Sequence, residues 1–224
     1  MNLSELIAQV EENIGRDDKT SLIPSYINLA LERIHNDYPR FPDWQRTSTS
    51  TLDEDARRIP LPDNFGAIFQ LLFTNSETGP LRRITRREYD QEYPEVYTNG
   101  YKKDIPQVYC IWGDHLELYP VADQELTYIL RWSRSPEHLT EDEDEPLLTG
   151  CDNTIIECAT MIAYNRLGQP EEANQHYQIY QSHLNSAIQR VEDRNEDTEY
   201  KLKGYQAGRS TGSVRNEIRR EDFI

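Results

Sequence analysis

Apolar residues recur every three to four positions toward both ends of the chain. Positions 3, 6, 7, 10 and 14 predict a helix over residues 3–13, which Gly15 closes. A second helix begins at Pro24 and stops before Pro39 and Pro42. Residues 147–167 repeat this period, with Pro146 expected in the first helical turn, and Pro170 opens a last helix over residues 171–195. The short connection between these two predicts an α-hairpin.

The middle of the chain favours strands instead. Residues 46–52 alternate and are rich in Thr, residues 57–62 form a short edge segment limited by its prolines, and residues 67–74 form an apolar run. We expect residues 81–85 to pair back onto 67–74 across the intervening turn. Residues 86–93 then predict a short helix.

The clearest hairpin follows. Residues 108–112 lead into Gly113–Asp114 and then into residues 115–120, where Leu116 and Leu118 alternate with His115 and Glu117. A Gly-Asp pair between two such runs predicts a two-residue turn. Residues 126–132 form another strand, so we expect three successive antiparallel strands in one small sheet with one packed face.

These patterns predict an α+β protein. We expect a helical bundle, made of N-terminal helices over residues 1–45 and a C-terminal hairpin over residues 146–200 that packs with them. A small antiparallel β domain over residues 46–135 is inserted between the two, and residues 201–224 form an extended tail.

Charge is divided unevenly along the chain. With 24 Lys and Arg against 40 Asp and Glu, the 224 residues carry a formal net charge of −16. Residues 201–224 hold six basic and three acidic residues, a net charge of +3, which leaves −19 on residues 1–200. A glycine-spaced tail of this kind cannot bury enough apolar surface to order alone. It is therefore either a frayed terminus or a segment that orders on a partner.

Composition excludes several classes of protein. No stretch approaches the ~20 apolar residues of a membrane span, and the amphipathic acidic start is not expected to be a signal peptide. Three cysteines without a CxxC pair favour a reducing compartment rather than a disulfide framework. The acidic balance argues against bulk binding to nucleic acid, which needs a basic surface.

No motif for catalysis, cofactor or metal stands out. The sequence lacks HExxH, P-loop, GxGxxG and GxSxG patterns. His176 and His183 are two helical turns apart, too far to share one metal ion. A hydrolase with two carboxylates stays open, but nothing selects a pair among 40 acids, and Glu171 and Glu172 fit the first turn of a helix better. We expect a protein without catalytic residues, metal or cofactor.

The body of the chain contains one basic cluster. Arg82, Arg83, Arg86 and Arg87 lie where the short helix is predicted to begin. They could contact nucleic acid or an acidic neighbour at a subunit or tail interface. Pairing with acids of the same chain is the favoured interpretation, because such exposed pairs are common although weak.

Two motifs in order resemble a known family. Residues 106–120, PQVYCIWGDHLELYP, follow the pattern P-x-x-Y-x-I-x-G-x-x-L-x-L-Y-P at every fixed position. Residues 128–139 follow Y-x-L-x-W-x-x-x-P-x-x-L. With the helical start, the acidic loop at 141–145 and the closing helices, the chain resembles the head-to-tail adaptor, or head-completion, proteins of tailed phages, in particular short-tailed ones.

The resemblance implies a structural virion protein at the head–tail junction, made in the host cytoplasm. It implies a ring, usually of twelve copies, that docks on the portal protein through a C-terminal segment, attaches a tail or nozzle protein and surrounds the passing DNA without sequence-specific binding, with no cofactor and no membrane. If the C-terminal segment of this chain docks in the same way, the candidate portal-binding residues are Arg209, Arg215, Ile218, Arg219, Arg220, Phe223 and Ile224. A nucleic-acid-binding module is the alternative, and a cell-wall hydrolase is the weaker one.

Overall fold

The computed structural model describes residues 1–15, 21–74, 79–94 and 102–193. These residues form helices and two small β-sheets, so the predicted α+β class is confirmed. The chain divides into two compact units. The sheet unit comprises Met1–Ser4 and Leu31–Thr149, and the helical unit comprises Glu5–Ala30 and the described residues from Gly150 onward.

The helices and strands largely follow the sequence pattern. In chain order they are α1 (Leu3–Ile14), α2 (Ile23–Asp37), a 3-10 turn (Pro42–Trp44), β1 (Gln45–Leu52), β2 (Arg58–Pro60), β3 (Phe65–Phe73), β4 (Arg82–Arg83), α3 (Arg86–Glu92), β5 (Val108–Trp112), β6 (His115–Tyr119), β7 (Leu126–Arg134), α4 (Asp152–Arg166) and α5 (residues 170–193).

The helical unit is built from α1, the first half of α2, α4 and α5. α1, α2 and α5 each bury one apolar face, and Leu6, Val10 and Ile27 are nearly inaccessible to solvent. α4 is buried around most of its circumference, over residues 154–156 and 158–161. Hydrogen bonds also link α4 to α1, and the Tyr164 hydroxyl donates to the Asn13 carbonyl at 2.9 Å. The Asn13 side-chain amide in turn donates to the Thr160 hydroxyl at 3.3 Å.

The predicted start of the penultimate helix is wrong. Pro146 does not open it, because α4 begins at Asp152. Gly150 takes a left-handed backbone conformation with φ of +71° and turns the chain just ahead of the helix. Thr149, just before this turn, is bound outside the helix: its backbone N–H donates a 3.1 Å hydrogen bond to the Asp43 carboxylate.

The sheet unit contains a three-stranded and a four-stranded sheet. The first has the order β1-β7-β3, with β7 antiparallel to both neighbours, Gln45 opposite Ser133 and Leu52 opposite Leu126. The second has the order β2-β6-β5-β4, and the predicted β5–β6 hairpin is at its centre. The expectation of three successive strands in one sheet is wrong, because β7 leaves the hairpin and joins β1 and β3.

A second pairing also differs from the prediction. Residues 81–85 do not pair back along β3; instead β4 lies parallel to β5, with Arg82 opposite Val108. A single 2.8 Å hydrogen bond from Leu81 N–H to the Leu71 carbonyl links the segment to β3. Alternation of apolar and polar residues predicts a strand but does not identify the strand with which it pairs.

The four-stranded sheet is covered on both faces, so the expected single packed face is wrong as well. One face carries Leu116, Leu118 and Tyr109 into the larger core, which the β1-β7-β3 sheet shares. The opposite face carries Val108 and Cys110 against α3. Tyr89 of α3 is fully buried there, and its hydroxyl donates to the Leu118 carbonyl at 3.0 Å.

His35, near the end of α2, is buried in the sheet unit. Its Nε2 lies 3.1 Å from the Ser133 hydroxyl, which also accepts a 3.0 Å hydrogen bond from the Ala67 N–H. The Trp44 ring contacts the imidazole edge-on, with 4.9 Å between ring centroids. Burial lowers the pKa of His35, so the ring is neutral at pH 7.

Candidate interaction surface

The basic cluster of residues 82–87 is divided between a strand and a helix. Arg82 and Arg83 form β4, and Arg86 and Arg87 begin α3. Thr85 and Glu88 form a capping box between them: the Thr85 hydroxyl accepts from Glu88 N–H at 3.2 Å, and the Glu88 carboxylate accepts from Thr85 N–H at 2.7 Å. These hydrogen bonds satisfy the first N–H groups of a short helix and hold Arg86 and Arg87 in place.

Arg86 connects the cluster to the hairpin. Its guanidinium donates to the Glu117 carboxylate and to the Asp90 carboxylate, with 3.1 Å between Nε and the Asp90 oxygen. The same guanidinium carbon lies 4.6 Å from the centroid of the Trp112 ring. The side chain is therefore fixed from three directions, and a cation–π contact reaches the hairpin tip.

Glu117 is the buried acid that holds two arginines together. Its side chain is only 4% exposed, and Arg58 donates to it at 2.9 Å from the opposite side to Arg86. Burial alone would raise the pKa of Glu117, but the hydrogen bonds from Arg58 and Arg86 outweigh burial and lower it. The carboxylate is ionised at pH 7 and bridges β2, β6 and α3.

Trp112 ends β5 at the tip of the hairpin and is 53% exposed. Gly113 follows it with φ of +61°, the conformation a tight hairpin turn needs. A large aromatic ring that is exposed to solvent, yet held on one side by a fixed guanidinium, is preorganised for contact with another molecule. Trp and Arg are also the residue types that most often dominate binding energy at interfaces.

The remaining arginines of the cluster are exposed. Arg82 lies 3.9 Å from Glu92, and both side chains are more than half exposed, so this pair contributes little. Arg83 and Arg87 also face solvent. The favoured interpretation, pairing with acids of the same chain, is thus confirmed for Arg82 and Arg86. We define Arg58, Arg82, Arg86, Arg87 and Trp112 as the arginine–tryptophan face. Arg83 is opposite Tyr109 in β5 and lies on the other side of the four-stranded sheet.

The predicted portal-binding residues of the tail lie outside the described residues. They are Arg209, Arg215, Ile218, Arg219, Arg220, Phe223 and Ile224.

Other candidate chemistry has structural explanations in the described residues. Among these, no group of three or more His, Cys, Asp or Glu side chains is placed to hold a metal ion. His176 lies 2.7 Å from Glu157 and stacks on Tyr164. All three cysteines are buried, and burial raises the pKa of Cys110. Nor does any helix within the described ranges have the length and apolar character to cross a bilayer.

Comparison with known families decides the identity. The family described as SU10 adaptor protein matches residues 1–203. The chain belongs to the SU10 adaptor protein family. It is therefore a structural adaptor protein of a phage and a virion component, and the family implies contact with portal and tail components in general. A search of curated proteins gives no match.

Sequence reasoning missed two residues that organise this adaptor's arginine–tryptophan face. Glu117 alternates with Leu116 and Leu118, which predicts a place on the polar side of the strand, but α3 covers that side and buries it. Trp112 belongs to an apolar run and faces solvent. One signal was available: residues 108–111 are apolar without alternation, which is typical of a strand covered on both faces.

Proposed function

We propose that this SU10 adaptor forms a closed ring at the head–tail junction and docks on the portal protein through residues 201–224. The ring joins the head to a tail or nozzle protein and surrounds the DNA channel. Family membership over residues 1–203 supports the adaptor role. The observation that carries the docking step is the division of charge, −19 on residues 1–200 and +3 on the tail.

In this proposal the tail binds through both charge and apolar contact. Arg215, Arg219 and Arg220 make charge-assisted hydrogen bonds to acceptors on the portal, and Ile218, Phe223 and Ile224 fill apolar sites. Arg209 adds a further contact nearer the body. A segment that cannot order by itself can exchange one binding surface for another, and so can move onto the portal when the portal is present.

In the proposal the β-rich domain, residues 46–135, supplies the ring contacts, and the helical unit carries the tail. The arginine–tryptophan face fits a subunit interface, because its Trp112 is exposed and its Arg86 is already fixed. A neighbouring body with a charge of −19 offers abundant carboxylates to Arg87. One such heterologous contact repeated around an axis closes a ring, and we expect twelve copies.

DNA passes through this ring without being gripped. A strongly acidic body repels the phosphate backbone, so a lumen built from it lets the duplex slide. The proposal requires no sequence-specific contact to bases.

The direct test removes the tail. We expect a protein that ends at residue 200 to stay folded and soluble by circular dichroism, and to lose binding to purified portal particles in sedimentation and native mass measurements. The full-length chain is the positive control, and its mass on the portal gives the number of copies in the ring. A truncated protein that binds the portal with unchanged affinity would exclude the tail as the docking segment.

Nucleic-acid binding through Arg82–Arg87 is the second candidate. Arg86 already donates to Glu117 and Asp90, which reduces what the cluster can offer to phosphates. A genuine DNA-binding module would bind duplex DNA at low salt and weaken steeply as salt rises. Absence of binding at low salt removes this candidate, and absence of peptidoglycan turnover removes the cell-wall hydrolase.

A further inference from the structure

A 15-residue segment without helix or strand connects β7 toward α4 and crosses the sheet unit. We call residues 135–149 the acidic strap. It contains six acids, at positions 137 and 141–145, and neither Lys nor Arg. Connections of this length without secondary structure are uncommon in compact domains and often have a function.

The acidic strap is held at several points although it has no regular structure. The Asp144 carboxylate accepts hydrogen bonds from Thr140 N–H at 2.8 Å and Glu141 N–H at 2.9 Å, and these hydrogen bonds lower the pKa of Asp144. Leu3 N–H, at the start of α1, donates to the Asp144 carbonyl at 2.8 Å. His138 lies 2.8 Å from Glu32 of α2. The strap is thus a built surface that keeps its acidic side chains outward.

A cavity of about 210 Å³ lies under this strap. Its apolar lining includes Leu31, Trp44, Leu139 and Leu148, and Leu147 stands at its edge with 44% of its surface exposed. The cavity is smaller than the ~300–1,000 Å³ of sites for drug-sized ligands, so it fits one or two side chains. Glu145 and Asp144 lie beside it, while its one guanidinium, Arg134, is paired with Glu137.

The chain contains a segment with the complementary chemistry. Residues 215–224 contain Arg215, Arg219 and Arg220 within a few positions of Ile218 and Phe223. Three acids in this stretch balance the three arginines, so the surplus positive charge of the tail comes from residues 201–214. Residues 201–224 carry +3 against the six acids of the strap. Roughly 30 residues separate Asp193, the last described residue, from Phe223, and a chain of that length can span up to ~100 Å, so chain length does not prevent contact.

We propose that the cavity under the acidic strap binds the C-terminal segment of the same chain in the free adaptor. Phe223 enters the apolar cavity, and Arg219 and Arg220 lie against the carboxylates of the strap. This contact holds the docking segment until a portal competes for it. The competition step, but not the self-binding, rests on the proposed portal docking.

Disulfide trapping in the full-length chain tests the self-binding. The variant Leu147→Cys/Asp222→Cys places one thiol at the cavity edge and one beside Phe223, while the three native thiols are buried. The control Glu125→Cys/Asp222→Cys has the same tail thiol and an exposed site away from the strap. We expect the first pair to form an intramolecular disulfide about tenfold faster than the control, because binding raises the effective concentration of the two thiols.

Two further arms identify the forces and the occupant. Adding Arg219→Glu and Arg220→Glu, or Phe223→Ala, to the first pair should reduce its rate to that of the control. Equal rates in the two original pairs would overturn the proposal, and disulfide-linked dimers would assign the cavity to the tail of a second copy instead. Adding portal should suppress trapping; if trapping is fast without portal and unchanged with it, the self-binding stands and the portal-docking function fails.

Discussion

A β-carbon on Gly66 would lie 2.4 Å from Cε1 of His35 and 3.0 Å from the Ser133 carbonyl oxygen. The imidazole cannot retreat easily, because Trp44 and the Ser133 hydroxyl hold it. We therefore expect Gly66→Ala to lower the free energy of unfolding by about 1–3 kcal/mol, the usual cost of overpacking a core. Urea denaturation of the purified protein measures this change.

The His35→Ala background supplies the control for this clash. Removal of the ring opens the space that the new methyl group needs, so Gly66→Ala should cost much less there than in the wild type. Equal costs in the two backgrounds would show that His35 is not the obstacle.

His35 also predicts a dependence of stability on pH. Burial lowers its pKa, so the unfolded chain binds a proton more readily than the native chain does. The stabilisation is complete above the ordinary value of about 6.5 and is lost as pH falls toward the lowered pKa, by at most ~1.4 kcal/mol per pH unit. We expect His35→Gln to remove this loss in urea denaturation between pH 5 and pH 8. His138→Gln, at an exposed histidine, should leave it in place.

Glu117 makes a second prediction, in a more acidic range. Its pKa is lowered, so its contribution is present above the ordinary value of about 4.3 and disappears as pH falls through the lowered pKa. Glu117→Gln removes the carboxylate that Arg58 and Arg86 share and should cost about 1.5–3 kcal/mol at pH 7, as loss of hydrogen bonds to charged groups does. Thermal unfolding should show the loss, with exposed Glu125→Gln as a control that changes little.

Trp112 is expected to matter for assembly rather than for folding. More than half of its surface is exposed, so Trp112→Ala should change the unfolding temperature only slightly. At an interface, loss of such a residue costs ~2 kcal/mol or more, and we expect the affinity between copies to fall about 30-fold. Sedimentation of portal-bound adaptor measures this. Tyr177→Ala, at a 37% exposed aromatic of α5, is the matched control. Unchanged assembly of the Trp112 variant would exclude the arginine–tryptophan face as a ring contact.

Local features of the fold were predictable from sequence because local physics determines them. Gly113–Asp114 requires a tight turn, and the hairpin is where that turn places it. The prolines of β2 predicted an edge strand, and β2 is at an edge of its sheet. The sequence pattern predicted the ends of α1, α2 and α3 to within a residue or two.

Partners across long distances were not predictable in the same way. The run at residues 126–132 marks a strand, but nothing in its alternation distinguishes pairing with β6 from pairing with β1, about 80 positions earlier. Burial of Glu117 depends on α3, whose position comes from Tyr89 and its contact with Leu118. The portal-binding residues stay a prediction, since they lie outside the described part of the chain.

The place of β7 has a consequence for synthesis on the ribosome. It is the central strand of β1-β7-β3, yet it is the last of the three to be translated. Its final residue, Arg134, is added 61 residues after the end of β3 at Phe73. At ~5–20 residues per second, β3 waits roughly 3–12 s and β1 roughly 4–16 s before the strand that joins them is complete. The Ser and Thr residues that fill β1 keep that waiting segment polar, which protects the nascent chain from association while its partner is still being made.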